Sequence, residues 1–65
     1  MSLDDLFDYI EGEPGWVVDR DARTATSPAG IPVIFSGDAH DARAVEGFYL
    51  TAVKNGLPEA PQFPV

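Results

Sequence analysis

The chain has 65 residues, of which 45% are apolar, and eleven acidic against four basic residues give a formal net charge of −7. This length allows one small domain. A composition with this many apolar residues is typical of a folded domain rather than a disordered tail. The negative charge disfavours nucleic acid and anionic membranes as direct ligands, because both are bound mainly through Lys and Arg, and it favours a basic protein surface as the partner.

The sequence contains no cysteine, which excludes disulfides and thiolate metal sites. Its longest apolar run, residues 31–35, is far shorter than the ~20 residues needed to span a bilayer. Residues 1–5 lack the basic and apolar regions of a secretory signal. We therefore expect a cytoplasmic protein that makes no membrane contact.

The first predicted element is a helix over residues 3–11, with Ser2 as its N-cap and Gly12, as a C′ residue, at its end. Apolar residues recur at the i, i+3, i+4, i+7 spacing of one helical face: Leu3, Leu6, Phe7 and Ile10. A helix this short is not stable alone in water, so this face must pack against the rest of the domain.

Three short strands are predicted next, at residues 16–19, 24–27 and 31–35, because these segments are rich in β-branched and apolar residues. A polar hairpin turn at 19–23 joins the first two, and a type I turn at 27–30 joins the last two. Pro32 lacks an N–H group and must lie at the start of its strand or at a sheet edge. The short connections predict an antiparallel meander with sequential strand order.

A second helix is predicted to begin with Asp38 or Asp41 as its N-cap and to end at residues 55–56, Asn-Gly. Its apolar stripe follows helical spacing: Val45, Phe48, Tyr49, Ala52 and Val53. Gly47 lies in the middle of this helix and costs up to ~1 kcal/mol relative to Ala. The sequence leaves open whether this glycine permits a close approach to the sheet or is simply tolerated.

Residues 57–65 carry proline at every third position, which predicts an extended polyproline II strap. The motif Pro58-x-x-Pro61 is also typical of ligands for aromatic grooves, but we favour packing of Leu57, Phe63 and Val65 onto a thin core. The chain is thus predicted to be a single small α+β domain over residues 1–65. Its element order is α-β-β-β-α, a three-stranded antiparallel meander with two helices on one face.

No enzyme, metal site or cofactor is predicted. His40 lies between Asp38 and Asp41, but a metal site needs three or four converging ligands, so we interpret it as an exposed residue of a capping segment. Asp19 and Asp21 are spaced like the start of a calcium loop whose remaining ligands are missing. There is no catalytic triad signature and no Gly-rich phosphate loop.

The first thirteen residues carry no Lys or Arg but have five carboxylates: Asp4, Asp5, Asp8, Glu11 and Glu13. The helix dipole stabilises acids in the first turn, but the like-charge pairs Asp4/Asp8 and Asp8/Glu11 each cost about 0.2–0.5 kcal/mol. Because no cation in this segment compensates these costs, we favour a binding role for the acidic face of the helix. The alternative interpretation is an ordinary solvated face without a function. If the two helices pack side by side, the second helix extends the predicted partner-binding surface with Asp38, Asp41 and Glu46.

A row of regularly spaced carboxylates on a helix imitates a phosphate backbone. In size, acidity, absence of cysteine and α/β layout, the chain resembles small phage-encoded anti-CRISPR proteins of the DNA-mimic kind, in particular inhibitors of type I surveillance complexes. The resemblance implies a non-enzymatic inhibitor, acting in a bacterial host cell, that binds a basic nucleic-acid-binding surface of the effector. These proteins share no common functional residues, so the acids named above rest on the charge argument alone.

A second hypothesis is a small interaction or assembly module that pairs through apolar surface, without DNA mimicry. A strand edge or a groove near Tyr9, Phe63 and Val65 would provide that surface. Salt distinguishes the hypotheses, because it weakens contacts between exposed charges and spares apolar ones. The sequence leaves open the identity of the partner, the choice between monomer and homodimer, the docking of the strap, and whether the acids of the two helices are contiguous.

Overall fold

The computed structural model describes residues 2–60, in which two helices and a three-stranded antiparallel sheet follow the order α-β-β-β-α. The elements are α1 (Leu3–Glu11), β1 (Val17–Asp19), β2 (Thr24–Thr26), β3 (Pro32–Ile34) and α2 (Ala42–Lys54). The strand order β1-β2-β3 is sequential, which confirms the predicted meander and the α+β class.

Helix α1 begins at the predicted N-cap, where the Ser2 hydroxyl accepts a hydrogen bond from the N–H of Asp5 at 3.1 Å. The four apolar residues of its predicted face are all buried: Leu3, Leu6, Phe7 and Ile10. Gly12 ends the helix as its C-cap, with a right-handed φ of −77°, so the prediction of Gly12 as the C′ residue is wrong by one position. The left-handed turn occurs three residues later, at Gly15 (φ 84°), where a Cβ would lie only 2.9 Å from the ring of Pro28.

The sheet has one buried and one exposed face. Ala25 pairs with Val33, and both side chains are buried against the helices. Val17 and Ile34 belong to the opposite face and are about two-thirds exposed (65% and 66%). This alternation follows from the two-residue period of a strand, so one side of the sheet forms core and the other remains open.

The core is organised around Phe48 of α2, which meets two other phenylalanines edge-on. Its ring centroid lies 5.8 Å from that of Phe7 at an interplanar angle of 84°, and 5.6 Å from that of Phe35 at 90°. This T-shaped geometry is favoured by the ring quadrupoles. We call Phe7, Phe48 and Phe35 the aromatic row. Its two ends lie under arginines of the β1–β2 turn, Arg20 at 5.8 Å from Phe7 and Arg23 at 6.0 Å from Phe35.

Helix α2 begins with Asp41 as its N-cap, since the carboxylate accepts the N–H of Arg43 at 2.9 Å. The other candidate, Asp38, instead accepts the N–H of His40 at 2.9 Å. A Cβ added at Gly47 would meet no atom of residues 2–60 within 4 Å. A close approach of α2 to the sheet therefore does not explain this glycine.

The first part of the predicted strap docks on both helices. Leu57 and Ala60 are buried, the hydroxyl of Tyr9 donates to the carbonyl of Pro58 at 2.6 Å, and the N–H of Ala60 donates to the hydroxyl of Tyr49 at 3.0 Å. Of the three residues predicted to pack on the core, Leu57 is described and is buried. The rest of the predicted strap, including Phe63 and Val65, lies outside the described residues.

Phe48→Ala tests the aromatic row. Phe→Ala in a core costs about 3–5 kcal/mol, and a domain of this size has only about 3–10 kcal/mol of total stability. We expect Phe48→Ala to lower the Tm by more than about 12 °C or to abolish cooperative unfolding, as followed by circular dichroism. Leu50→Ala, on the exposed side of the same helix, is the control and should unfold near the wild-type temperature. A Phe48→Ala protein as stable as this control would contradict the assignment.

Candidate functional site

The acidic face of α1 receives a cation from the β1–β2 turn. The Arg20 side chain places Nη1 3.6 Å from Oδ1 of Asp4, Nη2 2.5 Å from Oδ1 of Asp8 and Nε 3.0 Å from Oε1 of Glu11. Each guanidinium nitrogen thus pairs with a different carboxylate. We call these four residues the Arg20 clamp.

The clamp corrects the inference that the acids of α1 are uncompensated. The repulsion expected within Asp4/Asp8 and Asp8/Glu11 is offset, because one guanidinium lies against all three carboxylates. The carboxylates remain accessible, with side chains that are 87% (Asp4), 68% (Asp8) and 46% (Glu11) exposed. Three acids and one base leave the clamp with a formal charge of −2, so it is negative but less so than the sequence of α1 alone indicates.

Arg20 is held from two sides. Its guanidinium lies over Phe7 of the aromatic row while its nitrogens face the carboxylates of α1. Hydrogen bonds to Glu11 and Asp8 raise the pKa of Arg20 further above its already high ordinary value. The guanidinium therefore keeps its charge at every pH that proteins survive.

The remaining two acids of the N-terminal segment have different surroundings. Asp5 is exposed in the first turn of α1 and lies outside the clamp. Glu13 is half-buried beside Tyr9. Burial raises the pKa of the Tyr9 hydroxyl, and the nearby charge and hydrogen bond of Glu13 raise it further. Asp5 thus extends the acidic face, whereas Glu13 belongs to the contact region between α1 and the strap.

The acids around the second helix have different surroundings from those of the Arg20 clamp. Asp38 and Asp41 accept backbone N–H groups at the start of α2, and Glu46 is half-buried on the helix itself. A cleft of about 290 Å³ lies between the start of α1 and the segment before α2. Its lining includes four charged or titratable residues: Asp4, Arg20, Arg23 and His40. The cleft thus brings Asp4 and Arg20 of the clamp beside His40, which lies between Asp38 and Asp41 in the chain.

Sequence reasoning missed Arg20, which lies nine residues beyond the end of α1 in a turn that reads only as polar. A signal was nonetheless present. Asp4, Asp8 and Glu11 follow the i, i+4, i+7 spacing of a single stripe, so one long cation on a neighbouring element reaches all of them. Which element supplies it depends on the packing of α1 beside β1, and the local sequence does not contain that information.

Comparisons with protein-family models, with curated proteins and with solved structures gave no match. Among residues 2–60, no three His, Asp or Glu side chains are grouped in a way that could hold a metal ion. Neither helix of that range has the length and apolar character needed to cross a membrane.

Arg20→Gln tests the clamp. Without the guanidinium, the three carboxylates of α1 repel one another, so we expect the Tm to fall by a few degrees at low ionic strength. The loss should shrink in about 1 M NaCl, where the Debye length is about 3 Å. Arg43→Gln makes the same change in net charge but removes an arginine that forms no ion pair within residues 2–60, and it should have a smaller effect. If the two variants lose the same number of degrees in Tm, and the loss does not depend on salt, the clamp would be contradicted.

Tyr9→Phe tests the raised pKa of Tyr9. Because the folded-state pKa lies above the ordinary value of 10.0, the unfolded chain loses the phenolic proton first as the pH rises. The stability that the folded protein gains by holding this proton is fully present below pH 10. It is lost as the pH rises through the folded-state pKa of Tyr9. We expect wild-type stability to fall more steeply above about pH 10 than that of Tyr9→Phe. Parallel denaturation profiles of the two proteins would contradict this assignment.

Proposed function

We propose that the protein is a non-enzymatic inhibitor that binds a basic nucleic-acid-binding surface of a bacterial defence effector, using the acidic face of α1 as a DNA mimic. The observation that carries the proposal is the Arg20 clamp, in which three exposed carboxylates are held in place and retain a charge of −2. Asp5, in the first turn, adds a further exposed carboxylate to this face.

The clamp prepares these carboxylates for a second cation. Each uses one oxygen on Arg20, namely Oδ1 of Asp4, Oδ1 of Asp8 and Oε1 of Glu11, and leaves its other oxygen for a partner. Side chains that are already ordered lose less conformational entropy on binding. Lys or Arg residues of a DNA-binding groove therefore meet a preorganised set of acceptors.

The spacing of the charges is suited to a groove that follows a phosphate backbone. The helical rise of about 1.5 Å per residue separates Asp4 from Asp8 by about 6 Å along the axis, and Asp8 from Glu11 by about 4.5 Å. One DNA strand carries a charge about every 3.4 Å along the duplex axis. The charge density of this face is thus of the same order as that of a single strand.

The charge of the whole chain supports the same reading. A net charge of −7 on 65 residues attracts a basic surface over distance and accelerates the encounter. It also repels nucleic acid, so competition with DNA would occur on the effector rather than through binding to DNA itself. A cytoplasmic location in the bacterial host follows from this proposal, because the effector acts there.

The second candidate function is an assembly module, and a specific observation favours it. The outer face of the sheet exposes two large apolar side chains, Val17 at 65% and Ile34 at 66%, with Ile31 at 48% close by along the chain. Exposed apolar side chains on one face of a sheet are a feature of protein-interaction surfaces. An association through this face would be largely insensitive to salt.

Neutralising two acids of the clamp tests the primary proposal. Asp8→Asn/Glu11→Gln changes the net charge from −7 to −5 and removes two of the three carboxylates that Arg20 holds. The readout is binding of target DNA by a purified type I CRISPR surveillance complex, at low and at high salt. We expect the concentration needed for inhibition to rise at least tenfold, which corresponds to about 1.4 kcal/mol.

The matched control for this experiment is Asp21→Asn/Glu59→Gln. It produces the same net charge by changing two exposed acids outside the clamp, and it should inhibit like the wild type. Equal inhibition by both double variants, or wild-type inhibition that persists unchanged at high salt, would contradict a role for the acidic face. Salt-insensitive self-association of the wild type, measured by sedimentation equilibrium, would then favour the assembly module.

A further inference from the structure

Strand β3 has an open edge. The N–H of Phe35 donates to the carbonyl of Arg23 at 2.8 Å, and the N–H of Ser27 donates to the carbonyl of Ile31 at 2.9 Å. In an antiparallel ladder, hydrogen-bonded and non-hydrogen-bonded pairs alternate. Residues 31, 33 and 35 therefore direct their backbone groups toward β2. The N–H and C=O of Ile34 point away from β2, and within residues 2–60 they have no hydrogen-bond partner.

A groove of about 350 Å³ runs between this edge and α2. It is lined on one side by β3 and the residues after it, and on the other side by α2, mainly through Phe35, Gly37, Ala44, Gly47, Phe48 and Thr51. The volume falls in the range typical of ligand sites. A groove between an unpaired strand edge and a helix is the arrangement that accepts an added strand.

Gly47 gives this groove its width. Glycine is disfavoured inside a helix, yet a Cβ at this position would meet no atom of residues 2–60 within 4 Å. Packing within the described chain therefore does not require a glycine there. The docked part of the strap contacts Tyr49, which at 100° per residue lies on the side of α2 opposite Gly47. Residues 57–60 consequently leave the groove open.

Three cations lie on the Gly47 side of α2 or beside Gly37, although none of them is among the residues that line the groove. Arg43 lies one turn before Gly47 and Lys54 two turns after it on the same side of α2. Arg23 donates through Nη1 to the carbonyl of Gly37 at 3.5 Å, at the end of the groove. In residues 2–60 these three cations form no ion pair, whereas the fourth, Arg20, is engaged by the clamp. Cations placed in this way, on a protein of charge −7, favour a negatively charged occupant.

We propose that the groove between β3 and α2 binds an extended acidic peptide of a partner protein, which adds to the sheet as a fourth, antiparallel strand beside Ile34. This site lies on a different face from the Arg20 clamp, so it goes beyond the proposed inhibition of a DNA-binding effector. The peptide backbone pairs with Ile34, an apolar side chain enters the groove, and flanking carboxylates meet Arg43 and Lys54.

The geometry defines the peptide pattern. The peptide residue opposite Ile34 forms both backbone bonds and, like Ile34, faces the outer side of the sheet, so its neighbours face α2. Arg43 and Lys54 are separated by eleven residues, or about 16 Å of helix. Two peptide residues at i and i+4 lie about 13 Å apart in a strand, within the reach of these long side chains. The pattern is acidic-x-apolar-x-acidic.

A fluorescein-labelled peptide containing Glu-Thr-Val-Thr-Glu provides the test, with binding followed by fluorescence anisotropy at about 0.15 M salt, where the repulsion from distant acids is screened. We expect saturable binding that weakens at least tenfold when both threonine amides are N-methylated, because those amides face β3. N-methylation of the valine amide, which faces away from β3, should change the affinity less than about threefold. No binding, or equal effects of the two modifications, would overturn the proposal.

Protein variants provide a second arm. Gly47→Leu fills the groove with a good helix former and should reduce peptide affinity at least tenfold, while Gly47→Ala should reduce it less. Arg43→Gln/Lys54→Gln should weaken binding of the acidic peptide but not of a version with Gln at the two acidic positions. Full binding by Gly47→Leu would overturn the proposal. So would a homodimer that Gly47→Leu disrupts, because a second copy would then be the occupant.

The two proposals fail independently. The clamp variant Asp8→Asn/Glu11→Gln should bind the peptide like the wild type, and Gly47→Leu should inhibit the surveillance complex like the wild type. A clamp variant that loses peptide binding while remaining folded would show that the peptide occupies the acidic face, and would overturn the assignment to the groove.

Discussion

Both helices are held to the sheet by the aromatic row. Phe48 places α2 against Phe7 of α1 and against Phe35 beside β3, with T-shaped contacts of 5.8 and 5.6 Å. Each strand has only three residues, so the sheet alone offers little surface to pack on. A chain this short buries only about 60% of its unfolded surface, and three large rings account for much of what a thin core achieves.

The β1–β2 turn connects this core to the surface. Arg20 and Arg23 cover the two ends of the aromatic row, and each also reaches outward, Arg20 to the acids of α1 and Arg23 to the carbonyl of Gly37. Two features fix the backbone of this turn. The Asp19 carboxylate accepts the N–H of Ala22 at 3.1 Å, and Arg23 adopts a left-handed φ of 54°. One short turn therefore supports both proposed binding faces.

The charges are distributed between two faces of opposite character. The acidic residues of α1 form an accessible array around Arg20, whereas the cations that pair with no acid in residues 2–60 lie on the Gly47 side of α2 or beside Gly37. Net charge alone describes only the first of these faces. A protein of charge −7 repels acidic partners at low salt. At physiological salt, screening limits this repulsion to about 8 Å. Binding of an acidic partner at the groove therefore depends on the charges close to it.

Local interactions made much of the fold predictable from sequence. Helix bounds, the Ser2 cap, the turn at 27–30 and the buried stripe of α1 follow from spacing and capping within a few residues. The acidic row on α1 was predictable for the same reason. The position of Arg20, the cleft that places His40 beside Asp4, and the open space at Gly47 depend on how distant elements pack. Sequence by itself determined which residues share a helical face, because helical period is a local property. Only the tertiary structure decided which charges meet, because ion pairing across elements depends on the relative placement of α1, the β1–β2 turn and α2.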